Sequence, residues 1–424
     1  MVRAYGMLSN PIPIGNGLKQ GCILAPILFN IYMDAIIKLL LRDCPYGVKL
    51  VFRTNGELVE PQKGGKLDIE MLIQCLLFAD DLVIISDSRI GLEECLTKFD
   101  TIAGNMGLTV AIEKTKVMEL GPKDPQWKVI LRSQEVEKVE CFDYLGSRFD
   151  ERCDIGVEVQ RRITKAAGSF ASLYNPLWRQ KSIPIITKVH VFNAMIIPCL
   201  LYGSETWVLL KEHVERLESF QMKCLRKICG ISKIEHKRNI SVREMAGQQR
   251  IEAIIMRNRL RWLGHCQRME NNRIPKRAMR CWIKGKKRAR GRPSKRWSDC
   301  VGEDLTYMEL RNKSWQNIAT NRNSWREECK KAIQKLNSSR DTKDETLYKE
   351  KKEAQKDPQR KECKCEKCGA FFTTEAGVKR HIIWKHTVRK KCLSCNKEFL
   401  SENALKKHSI YTGHPIPALV MQRR

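Results

Sequence analysis

Leu72-Ile73-Gln74-Cys75-Leu76-Leu77-Phe78-Ala79-Asp80-Asp81-Leu82-Val83-Ile84-Ile85 sets two acidic residues between two apolar runs of strand length. Runs this short, bounded by polar breaks, read as strands rather than helices. Asp80 and Asp81 therefore fall at a hairpin bend, at the end of what reads as a buried β-ribbon. Successive strand residues face opposite sides of a sheet, so the two acids converge on one site only where the turn redirects one of them. Carboxylates held together in this way are what a pair of Mg²⁺ ions requires in nucleotidyl transfer, where the metals stabilise the attacking hydroxyl and the leaving pyrophosphate. A solvated turn is the plainer reading of the same pair.

Outward from this ribbon the sequence reads as mixed α and β up to about Lys188, and helical beyond it. Segments such as Val214-Leu217-Phe220-Leu225-Ile228 carry the spacing of packed amphipathic helices, and Trp262 reads as part of their core. Between Lys276 and Arg296 there are eleven Lys or Arg and no acid. Such a strip is a solvated tail or, given the interleaved Trp282 and Trp297, a surface for phosphates and bases. Lys286, Lys287, Arg288, Arg290 and Arg292 are its candidate nucleic-acid contacts, and Arg290-Gly291-Arg292-Pro293 resembles the core of an AT-hook. From Asn337 to Lys361 the only large apolar residues are Leu347 and Tyr348, so this stretch is expected to be a charged linker, helical or disordered.

The 424 residues carry 78 Lys plus Arg against 48 Asp plus Glu, a formal charge of +30. A surplus of that size repels itself unless a polyanion offsets it, and RNA or DNA is the expected partner. A membrane is not. Ile23 to Leu41 is interrupted by Asn30, Asp34 and Lys38, and Val189 to Leu201 is short and contains Pro198. The first residues, Met1-Val2-Arg3-Ala4-Tyr5-Gly6, lack the order of a secretory signal, so a nuclear or cytoplasmic, reducing location is expected rather than secretion. The eighteen cysteines are then thiols or metal ligands. Oligomeric state has no signature here.

In the tail, Cys365-x2-Cys368 is followed after twelve residues by His381-x4-His386, and Cys392-x2-Cys395 after twelve residues by His408-x5-His414. A tight turn brings two thiolates together and a helix offers two imidazoles about one turn apart, which closes a tetrahedral Zn²⁺ site. Two structural zinc ions in two ββα fingers are the expectation, with Phe372 and Val378, then Phe399 and Leu405, as their small cores. The helix positions that would face bases are Thr374, Gly377 and Arg380, then Ser401, Ala404 and Lys407. Only Arg380 and Lys407 offer strong donors, so backbone affinity with little sequence discrimination is expected.

Several ordered motifs resemble one family. Phe78-Ala79-Asp80-Asp81 resembles the catalytic aspartate box of reverse transcriptases. Gly17-Leu18-Lys19-Gln20-Gly21-Cys22-Ile23-Leu24-Ala25-Pro26 resembles the box that precedes it in non-LTR (LINE-type) retrotransposon enzymes. Gly107-Leu108-Thr109-Val110 with Glu113-Lys114-Thr115-Lys116 is similar to the next palm segment, and Tyr144-Leu145-Gly146 to the primer-grip region. Leu201-Tyr202-Gly203-Ser204-Glu205-Thr206-Trp207, Arg261-Trp262-Leu263-Gly264-His265, and Gly291-Arg292-Pro293 with Arg296-Trp297 are similar to the C-terminal helical region of the same elements. The resemblance implies that Asp80 and Asp81 are catalytic metal ligands, that Gln20 and Gly21 position template and nucleotide, and that Lys116 lies near the nucleotide phosphates.

A further catalytic aspartate precedes the glycine-glutamine box in that family, and residues 1 to 16 contain neither Asp nor Glu. The chain is accordingly expected to be N-terminally truncated, without fingers subdomain or nuclease, inert as a polymerase alone, and to use Mg²⁺ only if the site is completed. The expected fold is α+β. A partial palm (1–150) leads to an all-α thumb or connection region (151–275) and a basic, Trp-containing region (276–336). A charged linker (337–362) and two ββα zinc fingers (363–386 and 390–414) follow. Three functions compete: a reverse transcriptase-like protein, a zinc-finger nucleic-acid-binding protein that keeps the polymerase remnant only as scaffold, and the product of a decayed element with no selected function.

Overall fold

The computed structural model describes residues 3–10, 21–53, 68–232, 235–282, 294–311, 315–356, 363–372, 375–386, 390–392, 394–395, 398–399 and 408. They divide into two units, residues 1–339 and 340–424.

In the first unit, β1 (Arg3–Ala4) and β2 (Met7–Leu8) form a short antiparallel pair. Helix α1 (Ala25–Leu41) has Pro26 in its first turn and buries Met33, Ile36, Ile37 and Leu40 along one side. β3 (Val48–Arg53) and β4 (Asp68–Ile73) pair antiparallel. β5 (Cys75–Phe78) and β6 (Asp81–Ile84) form a separate two-stranded ribbon. Helix α2 (Arg89–Asn105) starts where the Ser88 hydroxyl accepts from the Gly91 amide at 3.1 Å. It buries Leu96 against Val117, Val129, Leu131 and Val136. These apolar residues come from β7 (Lys116–Val117), the β8 (Ile130–Leu131) and β9 (Gln134–Glu135) hairpin, and the lead into β10 (Glu137–Lys138), which runs parallel to β7. The strands close with the hairpin of β11 (Cys141–Tyr144) and β12 (Ser147–Asp150).

Helices begin at once after β12, earlier than the periodicity beyond Lys188 implies. The Asp154 carboxylate caps α3 (Ile155–Ser172) by accepting from the Gly156 amide at 2.8 Å. With α4 (Ile185–Val191), α5 (Ile197–Leu200), α6 (Lys211–Ile228) and α7 (Asn239–Ala246), α3 encloses one apolar core. Phe170 stacks on Trp178 there with ring centroids 4.8 Å apart, an arrangement worth about 0.5–1.5 kcal/mol beyond area burial.

A second core joins α8 (Ile251–Arg268) to α10 (Trp297–Tyr307), α11 (Trp315–Thr320) and α12 (Arg322–Lys356) through Leu260, Leu263, Leu305, Trp315 and Trp325. Arg259 and Asp304 cross it as a buried pair at 2.6 and 3.0 Å. Between α8 and α10, α9 (Ile274–Arg280) runs into β13 (Cys281–Trp282), which pairs antiparallel with β3 and makes a three-stranded β13-β3-β4 sheet. The basic, Trp-containing region is thus helical where it is described, apart from β13. The stretch read as a charged linker is helical as far as Lys356, because Lys, Glu, Gln and Ala are good helix formers.

In the second unit, β14 (Cys363–Lys364) pairs antiparallel with β15 (Phe371–Phe372), followed by α13 (Glu375–His381) and a π-helical turn Ile382–His386. β16 (Lys390–Lys391) pairs with β17 (Glu398–Phe399) in the same way. The mixed helix-and-strand class read from the sequence holds. No helix among the described residues is long and apolar enough to cross a membrane.

Gly264 lies where α12 crosses α8. A Cβ there would sit 2.4 Å from Trp325 Nε1, which donates to the Leu260 carbonyl at 2.9 Å. Gly168 in α3 faces open space. Gly264→Ala should therefore destabilise the protein by about 1–3 kcal/mol through overpacking, whereas Gly168→Ala should be neutral or stabilising by roughly 0.5–1 kcal/mol. Thermal melts followed by circular dichroism distinguish the two.

Candidate functional site

Of the two acids read at the hairpin bend, Asp80 lies in the turn and Asp81 opens β6, while the run read as one strand before them is divided at Gln74 between β4 and β5. Phe78 faces Asp81 in register, so Ala79 and Asp80 form a two-residue turn, and Ala79 takes a left-handed φ of +53° to close it. The ribbon is not buried, however. Phe78 is 62% exposed, Leu76 and Leu77 are also exposed, and both aspartates face solvent. The reason is that β5 and β6 form a sheet of their own, with β6 alone contributing Ile84 to the core beside α2. Asp81 lies within electrostatic reach of Tyr144 in β11, whose phenol is pushed up by burial first and then by the Asp81 charge. No third carboxylate, Cys or His joins Asp80 and Asp81 in a three-ligand group among the described residues. The described residues offer two exposed carboxylates at this place, and a pair of Mg²⁺ ions would need further oxygen ligands beside them.

The other polymerase-type residues are placed as follows. Gly21 takes a φ of +87° ahead of α1, and Gln20 lies outside the described residues. Lys116 is half-buried in β7, pairs with the Glu137 carboxylate, and donates to the Glu113 carbonyl at 3.1 Å.

The turn Tyr144-Leu145-Gly146 is held far more tightly than its sequence suggests. Leu145 and Gly146 have φ of +48° and +79°, the two left-handed residues of a tight hairpin. The Tyr202 hydroxyl donates to the Leu145 carbonyl at 2.9 Å. Arg161 and Arg162 of α3 both donate to the Gly146 carbonyl, Arg161 at 2.9 Å. Glu158, 2% exposed, orients both arginines and accepts from the Arg148 amide at 3.0 Å. Arg162 also lies over the Tyr202 ring, 4.5 Å from its centroid. Arg148 and Arg161 meet at Asp143, and the Arg148 guanidinium holds that carboxyl below its usual range.

Around Tyr202, Ser204 accepts from Asn258 at 3.0 Å, and the Glu205 carbonyl accepts from the Trp297 indole at 2.8 Å. Three motifs distant in sequence thus meet at one place. Beside the hairpin a cavity of about 900 Å³ is lined by Arg148, Arg161, Lys165, His213 and Arg216 among others. Arg161 and Arg162, within α3, carried no motif signal.

In the tail the ligand sets close. The ligand atoms of Cys365, Cys368, His381 and His386 all lie within 4.8 Å of one another, as do those of Cys392, Cys395 and His408. In the first set the Cys365 amide donates to the Ala370 carbonyl at 2.9 Å and the Gly369 amide to the Cys365 carbonyl at 2.8 Å, forming the tight turn that brings the thiols together. Cys368 Sγ is 3.0 Å from His381 Nε2, which is 3.1 Å from His386 Nε2. Phe372 packs on the His381 ring at 4.7 Å.

Burial pushes the Cys365 thiol up, but the Lys367 and Cys368 amides and the Cys368 side chain outweigh it and leave the thiol lowered. Burial opposes the same effect at Cys392, where the Cys395 and Ser394 amides and the Cys395 and His408 side chains bring the thiol down to about 6. Thiols lowered in this way reach the thiolate form that binds metal, so the donors suit a metal ion. His414, Lys407, Thr374, Ser401, Ala404 and Leu405 lie outside the described residues, as do Lys286, Lys287, Arg288, Arg290 and Arg292. Arg380 is exposed on α13.

Removing the Glu158 carboxylate leaves buried Arg162 without its 2.6 Å partner. Glu158→Ala should cost about 3–5 kcal/mol, read as a lowered Tm, and should expose the 144–146 turn to faster amide hydrogen exchange.

Residues 3–149 match the family described as reverse transcriptase (RNA-dependent DNA polymerase). A transposon-derived protein of Caenorhabditis elegans is 26% identical over 262 residues, which is 59% of this chain and 92% of that protein. The RNA-directed DNA polymerase from mobile element jockey of Drosophila melanogaster is 22% identical over 240 residues, 54% of this chain and 23% of its own length. A retrovirus-related Pol polyprotein from a type-1 retrotransposable element R2 of Nasonia vitripennis is 29% identical over 166 residues, 35% of this chain and 14% of its own. The chain thus spans nearly all of the first relative and under a quarter of the two polymerases. Taken with the acid-pair hairpin and the ordered motifs around it, these matches make the chain a reverse-transcriptase-like protein of retrotransposon-derived type.

Proposed function

We propose that this protein is a non-LTR (LINE-type) product that binds RNA or DNA, holds two structural zinc ions in its tail, and does not by itself copy a template. The observation that carries the reading is the convergence of two Cys/His sets in the tail, each with all its described ligand atoms within 4.8 Å of one another. Two thiolates and two imidazoles at that separation suit tetrahedral Zn²⁺ better than the oxygen-preferring cations. Zn²⁺ would tie the β-hairpin of each finger to its helix and so supply most of the finger's stability. His414 is the proposed fourth ligand of the second set.

The exposed acid pair, without a third ligand among the described residues, supports a polymerase site that is incomplete as it stands. Completed, it would use Asp80, Asp81, Gln20, Gly21 and Lys116 as the resemblance implies. Nucleic-acid contacts are assigned to the cationic strip, including Lys286, Lys287, Arg288, Arg290 and Arg292, and to Arg380 and Lys407 of the fingers. A nuclear location accords with those partners. The domain plan 1–150, 151–275, 276–336, 337–362, 363–386 and 390–414 belongs to the same reading. An alternative, in which the fingers bind and the palm remnant only supports them, draws on the same exposed acids.

Metal analysis by plasma mass spectrometry should find two zinc ions per chain. Cys368→Ser and Cys395→Ser should each remove one of them, and protein purified without zinc would overturn the reading. Primer extension on a homopolymer template with Mg²⁺ or Mn²⁺ should give no synthesis. Robust synthesis that Asp80→Asn abolishes would show the polymerase site to be complete.

A further inference from the structure

Cys44 and Cys95 are 51 residues apart in sequence, yet their sulfurs lie 3.2 Å from one another. Among the described residues of the first unit they are the two cysteines whose thiols touch, and neither is in a disulfide. Three contacts build this juxtaposition. Helix α1 ends at Leu41, and Asp43 takes a left-handed φ of +60° that turns the chain and brings Cys44 onto α2. On α2, positions 91, 95 and 98 share one face. Lys98 donates to the Arg42 carbonyl, and the Tyr46 ring lies so close to Gly91 that a Cβ there would sit 2.4 Å from it. The segment 42–46 is thus fastened to α2 on either side of the sulfur pair. The Gln74 side-chain amide donates to the Cys44 carbonyl at 2.6 Å and holds the same residue from the strand side.

The two sulfurs differ in their surroundings. Cys95 is buried, whereas Cys44 is half-buried. Burial first, and then the contact with Cys44, push the Cys95 thiol up to about 12. Cys95 therefore keeps its proton at neutral pH and donates it to the Cys44 sulfur. The half-buried sulfur is the one that a small oxidant reaches, and the buried one stands directly behind it. Cys75 is within electrostatic reach of Cys44 but makes no hydrogen bond to it.

We propose that Cys44 and Cys95 are a modification site, oxidised by hydrogen peroxide to a reversible disulfide that clips the turn after α1 to α2. The sulfurs stand roughly 1 Å beyond bonding distance, so closure asks for a small approach of two side chains already in contact. In the first step the Cys44 sulfur attacks one peroxide oxygen and the O–O bond breaks. Cys44 becomes a sulfenic acid, and its proton leaves with the released hydroxide as water. In the second step the Cys95 sulfur attacks the Cys44 sulfur, the S–O bond breaks, and the hydroxide departs with the Cys95 proton as a second water. Two electrons pass from the pair of sulfurs to the peroxide, and a dithiol returns them by exchange. Disulfides of reducing compartments are commonly transient and redox-sensing. The loop closed in this way holds β3 to β6, and with them Asp80 and Asp81. The inference requires neither polymerase activity nor metal in the tail.

The test treats the full chain, purified in the presence of zinc, with increasing hydrogen peroxide. The remaining thiols are alkylated, and tryptic peptides are mapped without reduction by mass spectrometry. Cys44 and Cys95 should lose their alkylation together and in equal amount, and should appear as one cross-linked peptide pair that dithiothreitol separates. Cys95→Ser should leave Cys44 as a sulfenic acid that dimedone labels. Cys44→Ser should leave Cys95 open to alkylation once the chain is unfolded, and Cys75→Ser should leave the cross-link as in the wild type. A bridge from Cys44 to Cys75 overturns the proposal. So do thiols at 44 and 95 that stay fully alkylatable while the exposed Cys22 and Cys153 are oxidised. Because the map is read on the wild-type chain, it decides the matter even where a serine variant folds poorly.

Discussion

The carbonyls of Leu145 and Gly146 are the point on which the strand region and the helical region are pinned together. They lie in a left-handed turn with no helix or sheet partner of their own, and Tyr202, Arg161 and Arg162 satisfy them. Backbone acceptors at such a turn are costly to desolvate unless something meets them. What meets them here is a charged cluster whose own charges are balanced by Glu158 and Asp143. The acid-pair ribbon reaches the same cluster through Tyr144, which feels the charge of Asp81.

The two ends of the chain solve the problem of holding charge differently. In the tail, thiols and imidazoles are gathered by short-range geometry: a tight turn, a hairpin and a helix within a few residues of one another. At the polymerase-type end, the two carboxylates come from one turn and the strand that follows it. Among the described residues no third carboxylate, Cys or His is grouped with them, and the ribbon that carries them is exposed.

Legibility in the sequence follows the same division. A hairpin with Asp80 at its bend and the Cys/His sets were readable because period and ligand spacing are local signals, whereas the exact turn and the break at Gln74 were not. The ribbon's exposure was not, since strand-like apolarity does not say whether a second layer covers it. Nor was the clamp. Tyr202 could be singled out only as part of a motif, and nothing in Arg161 or Arg162 announces a carbonyl acceptor on a turn that precedes them. The polar stretch before the tail left helix and disorder open because composition there favours both.

The pairing of Cys281-Trp282 with Val51-Phe52 has a consequence for how the chain is made. On a ribosome, β3 and β4 emerge long before β13, so the third strand of their sheet arrives only after most of the helical region has been synthesised. High contact order of this kind slows folding and leaves a sheet edge unpaired in the nascent chain. Premature termination ahead of residue 281 would release a product with that edge open, and edge-to-edge association is the hazard that such a product would carry.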